Sequence, residues 1–159
     1  MADPNVFAPQ WDSETPELGR RSVALGSKVG AAELGVSMFE LEPRGAVSPL
    51  HVHHGNEELL LVPSGRPQLR TPEGTRELET GALVAFPRGM DGAHQIANRG
   101  DQPARVLVFS TMNFPEVTEL LTTGTVFFRG GDGVRRAFPP GSETEFAGPW
   151  REAFDADRP

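Results

Sequence analysis

The chain has 159 residues and a formal net charge of −7 at pH 7, so its size fits one domain and its charge disfavours nucleic acid or an anionic membrane surface as a partner. The absence of cysteine and tyrosine excludes disulfide scaffolds, thiolate metal sites, thiol nucleophiles and a phenol acting as acid or base. No apolar run approaches the ~18 residues of a membrane span, and residues 1–19 lack the basic and apolar regions of a secretory signal. We therefore expect a cytoplasmic protein.

Short apolar segments separated by glycine and proline run through the chain, a pattern typical of an all-β sandwich or barrel. The sequence Thr71-Pro72-Glu73-Gly74 predicts a hairpin turn, because proline presets φ and glycine accepts a positive φ. A weaker pattern predicts one short helix at Pro115–Leu121. The predicted strands, in chain order, are Val23–Leu25, Val36–Leu41, Leu50–His53, Glu58–Val62, Gln68–Thr71, Arg76–Glu79, Leu83–Phe86, Ala93–Ala97, Ala104–Phe109 and Val126–Phe128.

Both ends of the chain are poor in regular pattern. We therefore divide the chain into an N-terminal arm (1–20), a β-barrel domain (21–130) and a C-terminal arm (131–159). Aromatic residues in these arms predict that they dock against the body or a partner subunit, because large aromatics left free reduce solubility; frayed termini are the alternative. These aromatics are Trp11, Phe138, Phe146, Trp150 and Phe154.

The histidines form the first candidate functional cluster, because all 4 lie between positions 51 and 94. His51 and His53 are two residues apart on a predicted strand, so both imidazoles face the same side. Glu58 begins the next predicted strand and His94 lies in a later one, so both can face the same point. Three imidazoles and a carboxylate suit a divalent first-row metal such as Mn, Fe, Co, Ni or Zn. A His-x-His pair by itself is more often a pair of surface or core histidines.

The glycines and prolines around this cluster resemble the two sequence motifs of the cupin superfamily. The first motif, G-x5-H-x-H-x(3,4)-E-x6-G, is matched by Gly45, His51, His53, Glu58 and Gly65. The second motif, G-x5-P-x-G-x2-H-x3-N, is matched by Gly81, Pro87, Gly89, His94 and Asn98, with four residues instead of two between Gly89 and His94. The stretch His53–Leu59 and the turn Pro72–Gly74 are also similar to small stand-alone bacterial cupins.

The resemblance implies a double-stranded β-helix, that is, a cupin or jelly-roll barrel with extended N- and C-terminal arms and a pocket at one end. It further implies that the metal ligands are His51, His53, Glu58 and His94. The two extra residues before His94 leave the register of its strand open. The glycines belong at turns with positive φ or at close backbone approaches.

Several neighbouring residues require a choice. We assign the ligand to Glu58 and not to Glu57, because only Glu58 leaves six residues before Gly65. Glu57 is then a rim or surface carboxylate, and His54 faces away from the two histidines before it. Arg88 lies near the presumed pocket mouth and is either an exposed arginine or a contact for an anionic ligand. Asn98 is expected to stabilise a turn.

The resemblance indicates the function less directly than the fold, because cupins host many reactions as well as simple binding. Apart from the ligands, the acid–base candidates are few: Glu40, Glu57 and His54. We therefore expect a metal-dependent enzyme of the oxygenase type that acts on a small organic molecule through the metal. The alternative is a non-catalytic cupin that binds a sugar or effector. A homodimer is the expected assembly, with no nucleic-acid or membrane partner.

Overall fold

The computed structural model describes residues 3–142 together with Pro149, Glu152, Ala153 and Ala156. It contains the short α-helix α1 (Leu25–Lys28), and short 3-10 turns occur at Pro16–Leu18 and Met90–Gly92. No helix among them is long and apolar enough to cross a membrane. The strands are β1 (Ser13–Thr15), β2 (Arg20–Ala24), β3 (Leu34–Leu41), β4 (His51–His53), β5 (Glu58–Ser64), β6 (Gln68–Thr71), β7 (Gly74–Glu77), β8 (Leu83–Phe86), β9 (Gln95–Ala97), β10 (Ala104–Thr111), β11 (Glu116–Leu120), β12 (Thr125–Arg129) and β13 (Arg135–Phe138).

The strands form three antiparallel sheets. The largest has the order β1-β2-β3-β10-β5-β8, the second β13-β12-β11-β4, and the third β7-β6-β9. Strands that are neighbours in a sheet are often distant in sequence, as for β3 with β10 and β4 with β11. The all-β prediction is therefore confirmed. The pairing also brings segments that are distant in sequence next to one another.

The inner face of the large sheet carries the main core. Leu60 and Val62 of β5 are fully buried and pack with Val106 of β10. Because side chains alternate along a strand, the face that buries Leu60 and Val62 also turns Glu58 inward. Glu57, one residue earlier, is exposed. The hydrophobic alternation of β5 thus positions a carboxylate at the end of the core.

The outer face of the same sheet is covered by the N-terminal segment. Val23, Met38 and Leu107 form a second buried cluster, and Trp11 packs against it. The Trp11 ring lies 5.0 Å from the guanidinium carbon of Arg21. In the C-terminal region, Phe138 is 44% exposed in β13. Phe146, Trp150 and Phe154 lie outside the described residues.

Each predicted strand has an observed counterpart, while the predicted helix at Pro115–Leu121 is wrong. That segment is β11, which pairs with β4 on one side and β12 on the other. Its β-branched residues Val117 and Thr118 favour a strand, and pairing on both edges decides the conformation. The strands β1 and β13, which the sequence analysis did not predict, continue the sheets into both arms.

The turns explain why particular glycines are required. Gly65 has φ +85°, and a Cβ there would lie 2.7 Å from the Cα of Ala104. A Cβ on Gly45 would collide with the carbonyl oxygen of Gly19. The predicted hairpin is also present, since β6 pairs with β7 from Thr71 and Gly74 outward.

Candidate metal centre

Backbone hydrogen bonds place His94 directly opposite His51. The His51 N–H donates to the His94 carbonyl over 3.1 Å, and the His94 N–H donates to the His51 carbonyl over 2.9 Å. The extra residues between Gly89 and His94 form the 3-10 turn Met90–Gly92. The two extra residues are accommodated in this turn, before the chain reaches His94. The register that the sequence left open is therefore the one in which His94 pairs with His51.

Three sheets contribute to the cluster of side chains at this end of the barrel. His51 and His53 come from β4, Glu58 comes from β5, and His94 immediately precedes β9. The Nε2 atoms of His51 and His53 lie 3.0 Å apart. The Oε2 atom of Glu58 lies 3.6 Å from Nε2 of His53 and 3.5 Å from Nε2 of His94. Potential ligand atoms of His51, His53 and Glu58 all lie within 4.8 Å of one another.

The far side of each imidazole is held by an acceptor, which fixes the tautomer. Nδ1 of His51 lies 2.9 Å from the Pro49 carbonyl oxygen, and Nδ1 of His94 lies 2.8 Å from the Gly92 carbonyl oxygen. A carbonyl oxygen only accepts, so Nδ1 carries the proton in both rings. Nε2 then presents a lone pair toward the cluster, which is the form that binds a metal. The His94 ring also stacks on Phe86 with 3.7 Å between ring centroids.

Glu116 is the corresponding partner of His53, and the sequence analysis did not find it. Its Oε1 lies 3.2 Å from Nδ1 of His53, and its Oε2 accepts a hydrogen bond from the Asn56 side-chain amide. Glu116 is almost fully buried, with 2% of its surface exposed. It is 63 residues from His53, so no local pattern links them. Only the strand identity of β11 could have suggested the contact.

Burial keeps the three imidazoles neutral. Burial first, and then the charge of His51, lowers the pKa of His53 to about 3 and that of His94 to about 4. Burial also lowers the pKa of His51. Burial first, and then the charge of Glu116, raises the pKa of Glu58 to about 7. Neutral imidazole nitrogens facing one another have no proton to share, and a cation among them satisfies all the lone pairs together.

The cluster lies in a cavity of about 640 Å³. The wall includes Phe39, Val108 and Met112 on the apolar side. Its polar part includes the hydroxyls of Ser37, Ser48 and Ser110, as well as two arginines, Arg20 and Arg129. A cavity of this size, with a few converging polar groups on an apolar wall, is suited to a small organic molecule.

The other candidates from the sequence lie outside this cavity. Glu57 and His54 are exposed, and the Nε2 atom of His54 lies 3.4 Å from Oε2 of Glu119. Glu40 faces the opposite side of the sheet, where it binds Arg21 and Arg105. Arg88 is exposed and does not line the cavity.

Asn98 has the turn role that the sequence predicted. Its side-chain amide donates to the carbonyls of Leu41 and Gln102, and its Oδ1 accepts from the N–H of Gly100. All of these contacts stabilise the chain between β9 and β10.

Comparison with known families agrees with this geometry. Residues 37–110 match the cupin domain family. Residues 37–110 therefore form a cupin domain. The match spans the strands that carry His51, His53, Glu58 and His94, and the structural neighbours described next confirm the jelly-roll double-stranded β-helix.

Two solved structures are similar over most of this chain. One is described as a sugar phosphate isomerase from a cupin superfamily, from Silicibacter pomeroyi, with 29% identity, a TM-score of 0.74, and coverage of 80% of this chain and 82% of its own. The other, a putative sugar phosphate isomerase from Acidithiobacillus ferrooxidans, has 24% identity, a TM-score of 0.74, and coverage of 82% and 83%.

A polyketide cyclase from Streptomyces resistomycificus is similar over a smaller part of the chain. It has 26% identity and a TM-score of 0.53, and the match covers 62% of this chain and 69% of that one. No protein of curated function matches the chain. The donor set, its neutral imidazoles and the family together support a site capable of binding a metal ion.

Proposed function

We propose that this cupin is a metal-dependent enzyme that acts on a small organic molecule. In this proposal, one divalent transition metal (Fe, Mn, Ni, Co or Zn) is held by His51, His53, Glu58 and His94. The observation that carries the proposal is the convergence of imidazole nitrogens and a carboxylate at the wall of a cavity of about 640 Å³. Bound there, such an ion supplies a Lewis acid for a substrate oxygen or, in the case of iron, a centre for dioxygen chemistry.

The surrounding residues keep this donor set in place. The carbonyls of Pro49 and Gly92 and the carboxylate of Glu116 orient the imidazoles through their Nδ1 atoms. Such outer partners fix the ring orientation and make the ligand nitrogen more basic. The apolar wall restricts water and leaves room for one small molecule beside the cluster.

Oxygenation is the reaction class that we propose first. Among the described residues that line the cavity, the ionisable groups are the four cluster residues and the two arginines. An arginine remains protonated and is a poor proton acceptor. A reaction that needs little proton transfer from side chains, and that relies on the ion, fits this composition.

Isomerisation is the second candidate, and the Silicibacter pomeroyi structure favours it. That protein is described as a sugar phosphate isomerase and shares 29% identity with this chain over 80% of its length. Non-catalytic binding of a sugar or effector by the same cavity is the remaining alternative.

The first test is elemental analysis of tag-free protein purified without chelator. We expect one equivalent of a transition metal in the wild type and in His54→Ala, and loss of the metal in His53→Ala. The pair is matched, because His53 and His54 are adjacent histidines and only His53 faces the cluster. Equal metal content in both variants would contradict the ligand assignment.

The reaction class is tested on the loaded protein. Iron-dependent oxygen consumption with small aromatic or keto acids supports the oxygenase. Interconversion of aldose and ketose phosphates without oxygen uptake supports the isomerase. If the wild type neither contains nor takes up any divalent ion, the metalloenzyme proposal is wrong.

A further inference from the structure

Two arginines lie in the wall of the cavity, and neither forms an ion pair with the residues that the structure describes. We propose that Arg20 and Arg129 bind an anionic group, a phosphate or a carboxylate, of the small molecule that the cavity accepts. This inference rests on the proposed function, since it assumes that the cavity takes a substrate or ligand, and it names the class: small organic anions.

The first observation is that both guanidinium groups carry a buried donor without an acceptor. In the part of the chain that the structure describes, Nε of Arg20 and Nε of Arg129 are buried and make no hydrogen bond. Neither side chain belongs to an ion pair there, whereas Arg21 and Arg105 both bind Glu40. Leaving a charged donor buried and unpaired is costly. Because Nε itself is buried, a ligand anion in the cavity would balance the charge of each guanidinium through its terminal Nη groups.

The second observation is that each guanidinium lies over an aromatic ring. The guanidinium carbon of Arg20 lies 5.0 Å from the centroid of the Phe39 ring, and that of Arg129 lies 5.3 Å from the centroid of the Phe114 ring. A cation–π contact of this kind helps to hold the side chain in place. A guanidinium held in place can bind a phosphate or carboxylate through two hydrogen bonds.

The third observation is the balance of charge around the cavity. The whole chain has a net charge of −7, which repels small anions at a distance. Among the described lining residues, however, Glu58 is the only carboxylate, against the two arginines. The described wall of the cavity is therefore less acidic than the chain as a whole.

Arg129 also lies near the cluster. It lines the same cavity as His53. Arg129 is the cross-strand partner of Glu116, which contacts His53. One small molecule could thus contact the ion through its reacting end and Arg129 through its anionic end.

Calorimetric titration of the full-length protein with inorganic phosphate and with acetate tests the inference. The variants are Arg20→Met and Arg129→Met, and the matched control is Arg76→Met, which changes an exposed arginine of β7. We expect the wild type to bind at least one probe, and each cavity substitution to weaken that binding about tenfold or more, because a charge-assisted hydrogen-bond pair is lost. The control should bind as the wild type does.

Each titration is run on both metal-loaded and chelator-treated protein, which separates this inference from the proposed function. Anion binding that depends on the arginines but occurs in a protein unable to bind metal would contradict the proposed function alone. Tighter binding of phosphate identifies a phosphorylated ligand, and tighter binding of acetate identifies a carboxylate ligand. The inference is wrong if neither probe binds the wild type, if all variants bind equally, or if only one arginine matters.

A readout on the wild type avoids the problem of a variant that fails to fold. Buried Nε–H groups exchange slowly with solvent, so both arginines should give guanidinium Nε–H signals in nitrogen-15 spectra. Titration with whichever of phosphate and acetate binds more tightly should shift two arginine Nε–H signals together. Signals that stay fixed while the probe binds elsewhere would overturn the assignment.

Discussion

Two buried carboxylates on the same sheet have opposite surroundings. Glu40 of β3 faces the outer side, where Arg21 and Arg105 donate to it beneath Trp11, the Arg105 bond being 2.6 Å long. Glu58 of β5 faces the cavity, where its closest ionisable neighbours are the imidazoles of His53 and His94. Both strands flank β10, so the difference comes from which face each residue occupies.

Their pKa values differ accordingly. Burial alone would raise the pKa of Glu40, but hydrogen bonds and charges from Arg105 and Arg21 outweigh it and hold the pKa below its ordinary value. Burial raises the pKa of Glu58 to about 7. The charge of Glu40 is therefore balanced within the chain and stabilises the fold. Glu58 lies beside neutral imidazoles and forms no ion pair with an arginine among the described residues, which is the arrangement of a site that takes its cation from outside.

The largest effect we predict is on metal affinity when Glu58 loses its charge. Glu58→Gln should weaken metal binding by more than ~100-fold, because a ligand counts for more than the outer partners whose loss costs 10–100-fold. Competition with a chromophoric chelator measures the change. Glu57→Gln is the control, since Glu57 is the exposed neighbour. Similar affinities for the two variants would show that the carboxylate ligand has been misassigned.

A smaller effect is expected from the partner of His53. Glu116→Gln should weaken metal binding about tenfold, because the amide still accepts from Nδ1 but no longer makes the imidazole more basic. The same competition assay applies, with Glu119→Gln as the control because Glu119 contacts only the exposed His54 among the histidines. An affinity equal to that of the wild type would mean that the Glu116 contact does not tune the site.

Substitution of Glu40, the carboxylate on the outer face, should change the stability of the fold and not the metal affinity. Glu40→Gln should lower the free energy of unfolding by about 2 kcal/mol, since it weakens charge-assisted hydrogen bonds from two arginines, and it should leave metal affinity unchanged. Urea denaturation measures the first quantity. Glu42→Gln, at an exposed position, should stay within about 0.5 kcal/mol of the wild type. A loss of metal binding in Glu40→Gln would erase the distinction between the two carboxylates.

The smallest effect is a pH dependence. Because the folded pKa of Glu40 lies below the ordinary value of 4.5, its contribution is complete above pH 4.5 and is lost as the pH falls through the folded pKa. The stability gap between wild type and Glu40→Gln should therefore be constant near pH 7 and narrow below about pH 4.5. Urea denaturation from pH 7 to 3 measures the gap. A gap that widens on acidification has the wrong sign for this account.

The fold could be read largely from the sequence, because its signals are local. Short apolar segments bounded by glycine and proline were enough to predict most of the strands. The choice of Glu58 over Glu57 followed from counting the residues to Gly65. The strand β11 was misread as a helix because its sequence is ambiguous by itself. Its conformation depends on pairing with β4 and β12, which no window of sequence contains.

The sequence located only part of the candidate site, for the same reason. The motifs located His51, His53, Glu58 and His94, but the groups that surround them come from distant strands. Glu116 and Arg129 belong to the segment after position 110, beyond the matched family region. Arginines are common on surfaces, so nothing in the sequence distinguished Arg20 and Arg129 from the exposed Arg88. The expected homodimer and cytoplasmic location stay predictions.

The origin of the cluster in three different sheets has a consequence for how the barrel opens. His51 and His53, Glu58 and His94 each belong to or adjoin a separate sheet, so an ion bound by all of them would act as a crosslink between the sheets. Local opening at this end would then require the ion to leave. Amide hydrogens around the His51–His94 bridge should exchange slowly in loaded protein and faster after chelation, while those of the inner core strands change little.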